Sequence, residues 1–445
     1  MTADADAPGF RRELGTIDAA AVVAGAIIGV GIFANPSNVA RILGEPSLIL
    51  AAWVLGGLLA LLGGFAYAEL AARMPEVGGQ YVYLARAYHP AIGFLYGVAL
   101  LFIINGGALA AVAILFASYL DRAFLPLGPM GIRVTAAAIL LSLAAINSLG
   151  VRAGKRTNNL LMAVKVAGIL ILMLVAFGRG VPAASAFRAE DLLPHASSAT
   201  HLLTALVPIM FAYGGWQNCG FIAGEIRDPA RTLARAYVLG VSVVVALYVG
   251  LNVAYLWVLT PQQVGASTAL AADMARAVAG DLGARAVSAL ILISSLGFLA
   301  VITLTGPRLY YAMARDGLFF ERATRLSRRG IPTLALWCQT GVAVALLASN
   351  TYDELLSYVV FADWLFFSLT AGALFVLRRR GGPEPGSSMP GHPWTTLAFV
   401  AVGAGIVVNS FFAYTWQSLV GSAILVAATV AYFTVVRGRR GRALS

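Results

Sequence analysis

The sequence predicts an all-α membrane protein of about twelve transmembrane helices, built as an inverted repeat of five plus five spans with two additional C-terminal helices. Three observations carry that prediction. Of the 445 residues, 60% are hydrophobic and 11% charged, and the mean hydropathy is +0.82, which leaves too little polar surface for a water-soluble fold of this size. Twelve apolar runs recur along the chain, each close to the ~20 residues that a helix needs to cross a bilayer. The first and sixth runs, five apart, are both interrupted by glycines.

Taken in order, the runs start near Ile17, Leu48, Ala91, Ile132, Leu160, Leu202, Tyr237, Arg285, Thr333, Leu355, Trp394 and Thr415. The polar first sixteen residues lead into a run with no small-residue cleavage site after a short core, so it reads as a retained span. Connections are short except around Gly178 to Thr200, Thr260 to Ala284 and Asp316 to Pro332, and no soluble domain is inserted. The expected organisation is a single polytopic domain over 1–445, with a first repeat at about 17–178, a second at about 200–380 and the extra helices at about 394–436. With the N-terminus placed inside, 23 arginines and lysines fall on the inner face and seven on the outer, leaving Lys165 within a span. Both termini are therefore expected in the cytoplasm. The net charge of +11 sits in short arginine clusters between apolar runs, which is membrane topology and not a nucleic-acid surface.

The first run contains Gly25-Ala26-Ile27-Ile28-Gly29-Val30-Gly31-Ile32-Phe33-Ala34-Asn35-Pro36. A helix with this many glycines is weak in its middle, and backbone groups freed inside lipid survive only where they meet protein, water or a ligand. The alternative is a glycine-rich face packed on a neighbouring helix. The sixth run repeats the feature in Phe211-Ala212-Tyr213-Gly214-Gly215-Trp216-Gln217-Asn218. Because five is odd, a five-span repeat enters the membrane in opposite senses. Its two first helices then meet about an axis in the membrane plane, with the substrate at their breaks.

Other motifs carry less. Gly29-Val30-Gly31-Ile32-Phe33-Ala34 imitates a dinucleotide fingerprint but lies inside a span. Gly150 to Lys155 imitates a phosphate loop one residue short and without the following hydroxyl. Neither Cys219 and Cys338 nor His89, His195, His201 and His392 form a metal or nucleophile pattern, so no cofactor, metal site or catalytic residue is expected. Lys165 in the fifth run is either a snorkelling lysine or a fixed or titrating charge beside the first break. Asp363 lies well inside the tenth run and should face the bundle interior or water. Asp18 and Glu69, near span ends, read as interface or packing groups. Glu225, ahead of Arg227, is either a gate latch or an ordinary ion pair.

Four segments in order, GAIIGVGIFANP at 25–36, FAYAELAARMPEVGGQYVYL at 65–84, FAYGGWQN with GEIRDPARTLARA at 211–236, and RLYYAMARDG at 308–317, give the chain its closest kinship in pattern. It resembles the amino acid–polyamine–organocation (APC) superfamily, especially bacterial relatives of the L-type amino acid transporter light chains. The resemblance covers nearly the whole chain. It implies a LeuT-like fold with broken helices 1 and 6, and a substrate carboxylate received by the backbone N–H groups around Ile28, Gly29, Val30 and Gly31, with Ala26 and Ile27 also among the substrate-binding residues. The substrate ammonium would go to the carbonyls of Phe211, Ala212 and Gly214 beside Gly215, with Phe211 as an aromatic lid. Helix-terminus electrostatics agree with both assignments. Trp216, Asp363 and Glu225 are candidate pocket or gate residues. Lys165 occupies the place of a sodium site in sodium-coupled members of the fold, which implies sodium-independent transport.

Two departures stand out: Val30 replaces a common hydroxyl residue, and Gln217-Asn218 replaces Trp-Asn. No cysteine lies between Leu120 and Pro129, so no disulfide-linked heavy chain is expected. The expected function is a secondary transporter of neutral L-amino acids in the cytoplasmic membrane, working as exchanger or proton symporter with no enzymatic activity. Cationic amino acids, small amines or polyamines are the alternative substrates. A channel is disfavoured by two stoichiometric mid-membrane breaks.

Overall fold

A computed structural model describes residues 15–74, 79–149, 155–179, 199–217, 229–327, 330–381 and 388–436. The first run is split into α1 (Thr16–Ile27) and α2 (Gly31–Leu43), bent by 54°. After it come α3 (Pro46–Arg73), the short α4 (Gln80–Ala87), and α5 (Pro90–Ala99) joined through a π-helical turn, Leu100–Asn105, to α6 (Gly106–Ala123). The first half closes with α7 (Gly128–Ser148) and α8 (Lys155–Arg179). The second half holds α9 (Ala199–Tyr213), α10 (Pro229–Val258), α11 (Pro261–Ala266), α12 (Leu270–Arg315), α13 (Thr333–Leu347) and α14 (Tyr352–Arg379), and the chain ends in α15 (Trp394–Ala413) and α16 (Thr415–Ala431).

Among the described residues nine helices are long and apolar enough to cross a membrane, ten with the bent pair, and α9 and α13 are shorter apolar helices. The twelve apolar runs fall on these elements. This is a multi-pass all-α membrane protein.

Two expectations change. The connection expected over Thr260 to Ala284 is mostly helical, because α11 and the first turns of α12 occupy it. Alanine-rich Leu270 to Ala279 favours helix strongly, and the chain redirects at Gly280, whose φ of 68° suits glycine. The first break is also narrower than its motif. Only Ile28–Val30 leave the helix, and Asn35 and Pro36 lie inside α2.

Helix α10 packs on both α1 and α3, α2 packs on α9, and α14 packs on α15, α6 and α9. The interior is aromatic: Trp53, Trp216, Trp364, Tyr67, Tyr213 and Tyr248 are fully buried. One end of the bundle is tied by exposed pairs, Arg41 with Asp353 at 3.4 Å and Arg122 with Asp273 at 2.9 Å. At the other end the fully buried Glu69 carboxylate accepts from Arg73 and Arg378, each Nε at 2.9 Å, and from the Met389 N–H at 2.8 Å. Arg73 and Arg378, both counted on the inner face, thus meet on one carboxylate. Asp18 accepts from the Gly15 N–H at 3.2 Å and caps the start of α1.

Candidate functional site

The two breaks meet. A Cβ on Gly31 would stand 2.8 Å from the Ala212 Cα, and one on Gly215 would collide with the Ala26 carbonyl oxygen. Gly215 also sits at φ 115°, so close approach and backbone conformation both require glycine there. At Gly29 the reverse holds: an added Cβ would meet only the Ile27 oxygen, at 3.7 Å, with open space beyond.

Around the first break the Ile28 N–H still donates to the Ala24 carbonyl at 2.8 Å, so it is spent on α1. The N–H groups of Gly29, Val30, Gly31 and Ile32 find no backbone acceptor among the described residues. These are the orphan donors of a helix N-terminus, gathered where α2 begins. Around the second break the carbonyls are partly claimed. Phe211 accepts from the Gly214 N–H at 3.2 Å, and the Gly215 N–H turns to the Gln217 side chain at 2.9 Å.

One side chain bridges both breaks. The hydroxyl of the fully buried Tyr248, on α10, lies 3.0 Å from the Ile27 carbonyl and 3.3 Å from the Ala212 carbonyl, with the Gly29 N–H facing it. Sequence reasoning missed it. The available signal was its depth: membrane tyrosines gather at interfaces, whereas Tyr248 sits in mid-run, where a buried hydroxyl must find a partner.

Asn35 plays a similar part on the other side. Its side-chain amide donates to the Pro208 carbonyl at 2.7 Å and its oxygen accepts from the Tyr352 hydroxyl at 2.7 Å, tying α2 to α9 and α14. Phe211 lies against Tyr352 with ring centroids 6.4 Å apart. Trp216 is fully buried between Tyr67 at 4.9 Å and Phe367 at 4.8 Å, with its ring over Gly63, so it fills space below the second break.

Lys165 is half-buried and makes no hydrogen bond or ion pair among the described residues. Its helix face is set by its neighbours. Met162, one turn before, touches Gly25 of α1, and Gly168, one turn after, touches Leu290 of α12. Asp363 is partly exposed in the middle of α14, between buried Ala362 and Trp364. Glu225 lies outside the described residues. A cavity of about 540 Å³ lies apart from the breaks, in a groove between α3 and α10 lined by Val54, Leu58, Val245 and Val249.

Comparison with known proteins identifies the family. The pattern of the family described as amino acid permease matches residues 14–435. The chain is 30% identical to the serine/threonine exchanger SteT of Bacillus subtilis (strain 168) over 410 residues, covering 90% of this chain and 91% of that protein. It is 31% identical over 378 residues to the human b(0,+)-type amino acid transporter 1, covering 83% and 76%. The mouse Asc-type amino acid transporter 1 is 30% identical over 385 residues, covering 83% and 71%.

Proposed function

The chain belongs to the amino acid permease family, and on that premise we propose that it carries neutral L-amino acids by alternating access, without sodium, as an exchanger or proton symporter. The membrane is the cytoplasmic one, with both chain termini inside. The observation that supports the site is the meeting of the two breaks: donors from Gly29 to Gly31 without backbone acceptors stand against the carbonyl end of α9, with open space at Gly29. A zwitterion matches that polarity, its carboxylate on the donors and its ammonium on the carbonyls of Phe211, Ala212 and Gly214. Phe211 covers it. In the closed arrangement the Tyr248 hydroxyl takes up carbonyls that a substrate would share.

The relative named for serine and threonine exchange supports neutral substrates. Lys165 is a fixed ammonium on the α8 face between α1 and α12, where it would repel sodium. The chain works without a disulfide-linked heavy chain.

Uptake into proteoliposomes across an amino-acid panel, with and without internal substrate, tests the reading. Free neutral amino acids should compete, whereas N-acetylated or amidated ones should lose a charge-assisted set of hydrogen bonds, about 2 to 4 kcal/mol or roughly 30- to 1,000-fold in affinity. Equal competition by blocked amino acids would refute the site. Replacing sodium by choline should leave uptake unchanged.

A further inference from the structure

Asp363 has no place in the zwitterion site just described. Tyr352, Leu356, Asp363, Phe367 and Thr370 recur on one face of α14 at spacings of four, seven, four and three. Two of them touch α9 or its continuation: Tyr352 meets Phe211, and Phe367 meets Trp216. Asp363 therefore lies on the inward stripe, between the two contacts that bracket the second break. Its surroundings close over it. Tyr358 to Ala362, Trp364, Phe366 and Phe367 are all buried, and Asp363, itself partly exposed, stands among them in the space next to Tyr67 and Tyr96.

No cation reaches that space among the described residues. The titratable groups that face Asp363 are Tyr67 on α3 and Tyr96 on α5, whose ring packs on Phe366 at 5.3 Å. The Tyr67 hydroxyl is buried, with the Thr370 hydroxyl of the same α14 stripe facing it as well. Of the other elements against α14, the described parts of α9, α15 and α16 carry no acid, lysine or arginine, and the charges of α4 and α6 (Arg86, Asp121 and Arg122) lie in their terminal turns. On α14 itself, Asp353 and Glu354 are ten and nine residues away and Arg378 and Arg379 fifteen and sixteen, about 14 to 24 Å along the helix; Asp353 is paired with Arg41, and Arg378 shares Glu69 with Arg73 of α3. Lys165 is no counter-ion either, since α8 packs on α10 and α12.

An ionised carboxylate is strongly disfavoured in such a place, whereas a carboxylic acid both donates to and accepts from hydroxyl groups. We infer that Asp363 is an intramembrane proton-binding site, protonated while the interior is closed and releasing its proton to water when the bundle opens to the cytoplasm. The inference rests on the permease reading. It makes the protein a proton symporter and removes the need for Lys165 to carry the proton.

Two measurements on the full chain in liposomes test it. The infrared C=O stretch of a protonated carboxylic acid should be present at neutral pH, vanish in Asp363→Asn and persist in Asp353→Asn. An inward proton gradient should raise accumulation of a transported neutral amino acid by up to about tenfold per pH unit. That ratio, with gradient over without, should fall to one in Asp363→Asn and survive in Asp363→Glu, with sodium or choline alike. If Asp363→Asn shows no measurable uptake, the infrared band decides. A band that survives in Asp363→Asn, or wild-type uptake indifferent to the proton gradient, overturns the proposal. The infrared result is independent of how substrate binds, so failure of the zwitterion site would leave it standing.

Discussion

The two breaks look alike in sequence, each a glycine pair in an apolar run, but they are finished differently. At the first the chain leaves its helix for three residues and re-enters another, so that the start of α2 presents N–H groups with no backbone acceptor among the described residues and Gly29 borders open space. At the second the chain is pressed against its partner: Gly215 abuts the Ala26 carbonyl, Ala212 abuts Gly31, and Tyr248 and Gly214 already bond to its carbonyls. On the proposed reading the first break receives the substrate carboxylate, and the second is the wall that shapes its surroundings. A glycine can thus be required for two unlike reasons, room for a ligand or room for another backbone. Substitution separates them.

The largest effect is expected at the wall. Gly215→Ala places a methyl group against the Ala26 oxygen at a positive φ, adding roughly 1 to 3 kcal/mol of backbone strain before any clash is relieved. Both uptake and thermal stability in detergent should drop, and wild-type stability would show that the breaks are not in contact. Gly29→Leu should be the opposite kind of defect, with stability close to wild type and substrate affinity reduced by at least about 30-fold, the loss expected for a carboxylate deprived of its donors. Binding measured by calorimetry or scintillation proximity checks it. Normal affinity would return Gly29 to a packing role.

Smaller effects sharpen the contrast. Tyr248→Phe removes the one hydroxyl shared by both breaks and should weaken apparent affinity by about 1 to 2 kcal/mol, roughly 5- to 30-fold, with flux retained at high substrate. An unchanged affinity would make Tyr248 a packing residue whose hydroxyl is displaced before substrate arrives. Phe211→Ala should act least, losing about 1 kcal/mol, near fivefold, because only the ring contact with Tyr352 and the apolar cover are removed. Concentration dependence of uptake separates that affinity change from a loss of maximal rate.

Much of this was legible in the residues. Apolar runs locate helices because a bilayer core tolerates no unpaired backbone, and glycine pairs in mid-run locate the breaks for the same reason. The arginine and lysine distribution divided the loops into two faces, and Arg73 and Arg378, counted on the same face, do meet on the Glu69 carboxylate. The segments around Gly29 and Gly214 also carried the resemblance through which the site could be expected.

Other features required the folded chain. Tyr248 reaches Ile27 across 221 residues, Asn35 reaches Pro208 across 173, and Arg378 reaches Glu69 across 309. No local pattern encodes such partners, because a side chain's hydrogen bonds are settled by which helices come to lie beside it. The helical stretch from Leu270 to Ala279 escaped for a related reason: its periodicity is masked by charges that lie near a span end, where Asp273 pairs with Arg122. The sequence alone determined where the backbone must break and which chemistry the breaks could offer. Only the tertiary structure decided which break stays open, since that depends on two distant glycines meeting one another's backbone.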